Sequence, residues 1–211
     1  MAISTKSELH TAIANWLNRS DLTSRIPEFI SLAEASFNRN LRTREQLTRS
    51  TTTASAQYIG LPADFVEMSN IELTSTDPPK RLIYISEDRS DDIREQKNNT
   101  AGEPIFYTIE GKAIQLLPTP DASYTLQINY YKSIPALSGV ADSGDNWLLV
   151  SHPDVYLYAT LMQASPYLMD PQSTQIWDGL LSRAMQEVIG SDEKSKYAGG
   201  TLNMKPKFVY T

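Results

Sequence analysis

The chain has 211 residues, a length that suits one sizeable domain or two small ones. It carries 19 lysine and arginine residues against 25 aspartate and glutamate residues, and the net charge of -6 argues against a broad basic face for nucleic acid. With no cysteine, disulfides, thiolate nucleophiles and cysteine–zinc sites are excluded. The sequence has no apolar run long enough to span a bilayer, and its polar amino terminus is unlike a secretory signal. We therefore expect a protein that stays in a cytosol.

The first 47 residues are predicted to form two amphipathic helices. Thr5 and Glu8 have the spacing of a capping box at the start of the first helix. Pro27 suits the first turn of the second helix, where its missing N–H is not needed. Apolar residues recur at helical spacing at Leu9, Ala12, Ile13, Trp16 and Leu17, and then at Ile26, Ile30, Ala33, Phe37 and Leu41. Residues 1–47 therefore indicate an N-terminal helical hairpin with one buried seam.

Positive charge is concentrated at the far end of this hairpin, in an otherwise acidic chain. The residues concerned are Arg39, Arg42, Arg44 and Arg49. One interpretation is a solvated helix end, since cations complement the negative end of a helix dipole. The other is a contact with an anion or a partner protein, which makes these four arginines candidate partner-binding residues. The sequence leaves both interpretations open.

Residues 48–135 change to strand-forming chemistry, with runs of Thr, Ile, Val and Tyr between turn formers. The turn formers stand at residues 60–62, 77–79, 110–111 and 118–121. The clearest pattern is a hairpin over residues 105–117, turning at Glu110 and Gly111. Alternation over residues 126–130 predicts another strand with one buried face. A short helix preceded by Ser86 interrupts these strands, and the region is expected to be an inserted antiparallel β-domain.

Residues 136–190 are predicted to form a second helical hairpin that packs on residues 1–47. Ser151 as N-cap and Pro153 in the first turn begin a helix that is apolar on almost every side, so it should be largely covered. The next helix, over residues 172–189, has a seam formed by Ile176, Trp177, Leu180, Leu181, Ala184 and Val188. The predicted fold class is α+β: a helical bundle of two hairpins with an inserted β-domain.

An extended C-terminal tail is predicted over residues 191–211. This segment has too little apolar content to fold alone, yet it ends in Phe208, Val209 and Tyr210. Such a segment can become ordered against another protein. Its candidate partner-binding residues are Lys205, Lys207, Phe208, Val209 and Tyr210.

Motifs for chemistry are missing from the sequence. It has no phosphate-binding loop, zinc-protease helix, nucleophile elbow or dinucleotide fingerprint. His10 and His152 lack an orienting carboxylate nearby in sequence, and residues 142–146 lack the spacing and the terminal glutamate of a calcium loop. The aromatic pairs at 106–107 and 130–131 could stack on bases, but cross-strand packing explains them better. We predict no catalytic, cofactor-binding or metal-binding residues and no enzyme activity.

Several segments resemble a known family in the same order along the chain. They are NWLNRSDL (15–22), IPEFI (26–30), LAEA (32–35), LPADF (61–65), YYKSIPAL (130–137), NWLL (146–149), HPDVYLY (152–158) and ASPYL (164–168). Together they resemble the head-to-tail adaptor, or connector, proteins of tailed bacteriophages, particularly the short-tailed ones. The resemblance spans Trp16 to Val188, and residues 86–99 and the tail match it less clearly.

The resemblance implies an assembly role. Proteins of this family form a ring, typically of twelve copies, between the portal protein and the tail tube or nozzle, and the ring continues the channel for genomic DNA. This chain would then be a virion protein of the head–tail interface, assembled in the cytoplasm of a host bacterium, with no cofactor and no membrane contact. The alternative is a tail-completion or head-closure ring protein of the same complex.

Overall fold

The protein has an α+β fold, as the sequence predicts. We describe residues 3–96 and 100–197 of a computed structural model, and these contain six α-helices and two four-stranded sheets. The helices are α1 (Lys6–Leu17), α2 (Ile26–Asn40), α3 (Glu87–Gln96), α4 (Trp147–Ser151), α5 (Pro153–Tyr167) and α6 (Pro171–Tyr197). The strands are β1 (Leu47–Ala54), β2 (Tyr58–Gly60), β3 (Phe65–Leu73), β4 (Lys80–Arg81), β5 (Ile83–Tyr84), β6 (Phe106–Glu110), β7 (Ala113–Leu117) and β8 (Tyr124–Lys132).

The chain divides into two compact units. A helical unit comprises the residues up to Arg44 and those from Ile134 onward, and a sheet unit comprises Glu45–Ser133. The sheet unit is therefore an insertion between two parts of the helical unit.

Helix α5 is the central element of the helical unit and packs against α1, α2, α4 and α6. Tyr156 is fully buried in it, with its ring centroid 5.1 Å from that of Phe37 on α2. The other buried residues of α5 are Val155, Leu157, Ala159, Thr160, Leu161, Ala164 and Ser165. This confirms the prediction that the helix is covered on most sides, because apolar residues around the whole circumference require neighbours on every face.

The start of α1 is stabilised by the predicted capping box. Glu8 donates its N–H to Thr5 Oγ1 at 3.3 Å, and Thr5 donates its N–H to Glu8 Oε2 at 3.1 Å. Two amide groups that the first helical turn leaves unpaired are thereby satisfied. The prediction of a first-turn proline is also confirmed, since Pro27 lies in the first turn of α2.

The prediction that Ser151 caps the central helix is wrong. Ser151 is the last residue of α4, a short helix that the sequence pattern did not reveal. Asn146 caps α4 by accepting the Leu149 N–H at 2.9 Å. Pro153 has no N–H to continue the α4 hydrogen-bond ladder, so the chain turns at His152 and begins α5.

Helix α6 extends to Tyr197, so the prediction of an extended tail is wrong for residues 191–197. Gly190 lies within the helix, where a glycine costs about 1 kcal/mol relative to alanine but need not end it. Asp192 and Lys196, one turn apart, form an ion pair at 2.9 Å. The predicted seam is also partly wrong, because Ile176 is 59% exposed and the buried face is carried by Ala184 and Val188.

The sheet unit contains two sheets with separate strand orders. The first has the order β1-β8-β3-β4 and is antiparallel throughout. The second has the order β2-β7-β6-β5, and its β5–β6 pair is parallel. The prediction of an all-antiparallel domain is therefore wrong for this pair. The connection between β5 and β6 contains α3, and a parallel pair needs such a crossover.

The sheet core is built from alternating residues of neighbouring strands. Its fully buried apolar residues include Ala54, Ile71, Leu73, Ile114, Leu116 and Leu126. The predicted buried face of β8 is confirmed at Leu126, Ile128 and Tyr130. The predicted hairpin is confirmed as β6–β7, but Glu110 pairs with Ala113, so the turn residues are Gly111 and Lys112. Gly111 has φ +57°, which favours glycine because side chains crowd the backbone there.

Candidate interaction surface

The end of α2 uses one of its arginines as a cap. Arg42 donates through Nη1 to the carbonyl oxygens of Asn38 at 2.9 Å and Leu41 at 2.6 Å. These carbonyls lie at the helix C-terminus, where backbone acceptors lack helical partners and positive charge is favourable. The structure therefore gives Arg42 a local stabilising role, and a contact of Arg42 with a partner stays a prediction.

Arg44 and Lys196 flank the carboxylate of Asp192. Arg44 donates both its backbone N–H, at 2.9 Å, and its Nε, at 3.2 Å, to Asp192 Oδ1. Lys196 Nζ lies 2.9 Å from Asp192 Oδ2. Burial alone would raise the pKa of Asp192, but the hydrogen bonds from Lys196 and Arg44 outweigh it and the pKa is lowered. This clamp joins the last turns of α6 to the segment that follows α2.

The remaining predicted partner-binding residues are distributed differently. Arg39 is exposed in the last turn of α2, in the helical unit. Arg49 is exposed on β1, in the sheet unit, opposite Asn129 of β8. Lys205, Lys207, Phe208, Val209 and Tyr210 lie outside the described residues.

A buried polar network in the helical unit escaped the sequence analysis. Glu34 on α2 is 6% exposed, and its Oε1 accepts the Leu137 N–H at 2.8 Å and the Tyr156 hydroxyl at 3.2 Å. Asn146 donates through Nδ2 to the Tyr156 oxygen at 2.6 Å and to the Pro135 carbonyl at 2.8 Å. One signal was available, because Glu34 interrupts the apolar stripe of α2 next to Ala33.

Burial sets the ionisation of this network. Desolvation raises the pKa of Glu34, although the hydrogen bonds from Leu137 and Tyr156 oppose the shift. Burial and the charge of Glu34 raise the pKa of the Tyr156 hydroxyl. The donors to Glu34 come from residues about a hundred positions away in sequence. The network therefore ties α2 to α5 and to the chain that returns at residue 134.

Three aromatic side chains meet on α1, α5 and α6. Trp16 lies 5.6 Å from Trp177 and 6.3 Å from Tyr158, between ring centroids. The prediction that Trp16 belongs to a buried seam is wrong, because its side chain is 52% exposed. Its neighbour Leu17 is only partly buried against the core, so the end of α1 is less covered than its middle.

Neither of the two histidines belongs to a group of metal-ligating side chains among the described residues. His10 lines an open groove of about 380 Å³ together with Asp142. Burial and the charge of Lys6 lower the pKa of His10. His152 lies between α4 and α5. Over the described ranges, no group of three His, Asp or Glu side chains is placed to hold a metal ion.

The comparison with protein families assigns the chain to a class. Residues 4–204 match the family model described as SU10 adaptor protein. This range includes the sheet unit that is inserted into the helical unit. The chain belongs to the SU10 adaptor protein family, which confirms the resemblance to phage head-to-tail adaptors. It is thus a structural adaptor protein and a virion component, from a family that is not one of enzymes.

No curated protein matches the chain. Within the part of the chain that the structure describes, none of the helices has the length and apolar character required to cross a membrane. The family implies interaction with other virion components such as the portal and the tail.

Proposed function

We propose that this protein assembles into a ring, of twelve copies, between the portal and the tail tube or nozzle, and that the ring continues the channel for genomic DNA. The family match over residues 4–204 is the observation that carries the proposal. The protomer acts through a bundle of the hairpins at residues 1–47 and 136–190, with residues 48–135 as an inserted domain. The virion is of the short-tailed type and is assembled in the cytoplasm of its host bacterium.

The charge of the chain supports a role as a DNA conduit. The net charge of -6 would give a ring of many copies a strongly negative field. Proteins hold DNA by neutralising its phosphates with lysine and arginine, which releases the counterions of the DNA. An acidic lumen offers no such neutralisation, so DNA passes without being held. We therefore propose that DNA moves through the ring without sequence-specific binding.

The partner contacts are proposed at the four arginines between residues 39 and 49 and in the C-terminal tail. Arg42 and Arg44 already bond to atoms of their own chain, so changing them would disturb the fold as well as a contact. Arg39 and Arg49 are exposed and offer a cleaner test. A ring whose subunits meet head to tail needs two different surfaces on each copy, and these two regions provide them.

A charge reversal tests the two exposed arginines, Arg39 in the helical unit and Arg49 in the sheet unit. The variant with both Arg39→Glu and Arg49→Glu should form rings at least about tenfold less readily than the wild type, as a loss of about 1.4 kcal/mol per interface would give. Sedimentation velocity over a range of protein concentrations measures this. The matched control, Arg39→Lys with Arg49→Lys, retains the charge and should assemble. Equal assembly of all three proteins would exclude these arginines from the interface.

The adaptor role itself is tested by mixing the purified chain with the portal protein encoded beside it. Electron microscopy and light scattering should show rings of this chain stacked on the portal. A chain that leaves the portal free but joins purified tail proteins would support the tail-completion or head-closure alternative instead. A chain that joins neither would remove the proposal.

A further inference from the structure

The longest strand at an edge of either sheet is β1. It is the first strand in the order β1-β8-β3-β4 and therefore has one neighbour. It is eight residues long and pairs with β8 without a register shift. The other edge strands, β2, β4 and β5, have only two or three residues. Natural edge strands are commonly protected by short length, proline, bulges or a covering element, because an open edge pairs with other strands.

The direction of the outer backbone groups follows from the register. Thr125 accepts the Thr74 N–H at 2.9 Å, and Ser133 donates its N–H to the Asp64 carbonyl at 2.8 Å. The backbone N–H and C=O groups of the odd-numbered residues of β8 therefore point toward β3 and away from β1. Opposite residues of an antiparallel pair bond to each other or both point away. Thr53 lies opposite Thr125, so its N–H and C=O point outward from the sheet.

The same alternation extends along the whole strand. The residues whose backbone N–H and C=O groups point outward are Leu47, Arg49, Thr51 and Thr53, and their side chains are exposed too. Within the described parts of the chain, no hydrogen bond is made to these outward groups. The four backbone N–H donors and four C=O acceptors along this edge can pair with one more strand.

We propose that this edge binds the C-terminal segment of a neighbouring copy, residues 207–211, as an added strand. The segment reads Lys207-Phe208-Val209-Tyr210-Thr211, and all but the lysine are strong strand formers. Residues 198–211 follow the last described helical residue and, fully extended, span up to about 45 Å, enough to reach another copy. The proposal rests on the proposed ring and explains how its copies are linked.

The edge favours a tail over a second edge. Two β1 strands that paired with each other would form a closed two-fold dimer, which cannot continue around a ring. A tail inserted on the neighbour's edge is a head-to-tail contact that repeats from copy to copy. Loss of the tail would then abolish portal stacking because no ring forms.

The first test removes one outward donor from the edge. Thr51→Pro eliminates an N–H that has no partner in its own sheet, and proline is tolerated at such edge positions. Thr51→Val retains the N–H and is the matched control. Ring formation, measured by sedimentation velocity, should require about tenfold more Thr51→Pro protein, or about 1.4 kcal/mol per interface, and Thr51→Val should resemble the wild type. Far-UV circular dichroism checks that both variants fold.

A truncated chain ending at Pro206 provides the second variant. It should lose assembly at least as strongly as Thr51→Pro, and adding Thr51→Pro to the truncated chain should cost nothing further, because the contact is already absent. Additive losses would mean two separate contacts and would overturn the proposal. If Thr51→Pro fails to fold, the truncation and the crosslink below decide the question.

A crosslink identifies what the tail touches. The chain has no cysteine, so Thr211→Cys can carry a benzophenone photocrosslinker at a single position. It is mixed with isotopically heavy chains that lack the crosslinker and with the portal, and the adducts are identified by mass spectrometry. An adduct to residues 47–54 of a heavy copy supports the proposal. An adduct to the portal, or to β1 of its own chain, overturns it.

The outcomes separate this inference from the adaptor role. Rings that stack on the portal without the β1 adduct, and that form equally well from Thr51→Pro, would leave the adaptor role intact and remove the tail-to-edge contact. A β1 adduct between copies without any portal stacking would retain the contact and remove the adaptor role. The absence of both would remove both proposals.

Discussion

The helical unit and the sheet unit satisfy their backbone groups in different ways. In the helical unit, side chains accept amides of loop segments and of a helix start: Glu34 accepts from Leu137, Asn38 from Ile134 at 2.8 Å, and Asn146 from Leu149 in the first turn of α4. In the sheet unit, strand ladders do this work and the outer row of β1 remains open. The difference indicates that the helical unit is closed on itself, whereas the sheet unit carries a surface ready for another strand.

The largest effect is expected from emptying the centre of the helical unit. Tyr156→Ala removes the ring packed against Phe37 and the hydroxyl that lies between Glu34 and Asn146. The free energy of unfolding should fall by about 3–5 kcal/mol. Tyr156→Phe, the control, removes only the hydroxyl and should cost about 1–3 kcal/mol. Urea unfolding followed by circular dichroism measures both, and equal small losses would contradict a network that holds this unit together.

A smaller effect is expected in the sheet unit. Gly111→Ala places a side chain at φ +57° in the β6–β7 turn and should lower the free energy of unfolding by about 1–2 kcal/mol. Lys112→Ala, in the same turn, is the control and should be close to neutral. The same urea titration measures both variants. If Gly111→Ala were as stable as Lys112→Ala, the turn would not restrict this hairpin.

The smallest effect is expected at the Asp192 clamp and depends on pH. Because the folded pKa of Asp192 is lowered, its stabilisation is present above the ordinary pKa near 3.8 and is lost as the pH falls through the folded pKa. Asp192→Asn should therefore reduce the melting temperature slightly at pH 7 and by less at pH 3. Glu193→Gln, at an exposed position of α6, is the control. A penalty that grows in acid would contradict this assignment.

Local sequence rules predicted the local parts of both units. The capping box at Thr5, the hairpin around Gly111 and the buried face of β8 depend on residues a few positions apart, and all three are present. These features follow from helix-end and strand geometry, which neighbouring residues decide.

The features that the sequence missed depend on distant partners. Glu34 can be buried in α2 because Leu137 and Tyr156 donate to it. Trp16 is half exposed, and its ring packs against aromatic rings of α5 and α6. Asn146 caps α4 in addition to binding Tyr156. The parallel β5–β6 pair follows from the crossover through α3. None of these long-range contacts can be predicted from residues a few positions apart.

For the arginines, the sequence allowed a helix-end role, and Arg42 has that role at the end of α2. It did not show that Arg44 binds Asp192, because that partner lies in α6, far along the chain. The open edge of β1 was also not apparent, since the order of strands in a sheet depends on long-range pairing.

Hydrogen–deuterium exchange on the free chain and on assembled rings tests most directly whether one unit is closed and the other open. We predict that α5 amides are protected in both states. The amides of Arg49, Thr51 and Thr53 should exchange rapidly in the free chain and become protected at least about tenfold in the ring, as a new hydrogen bond requires. Protection of these three amides before assembly, or no gain in protection on assembly, would contradict an open β1 edge that another strand covers in the ring.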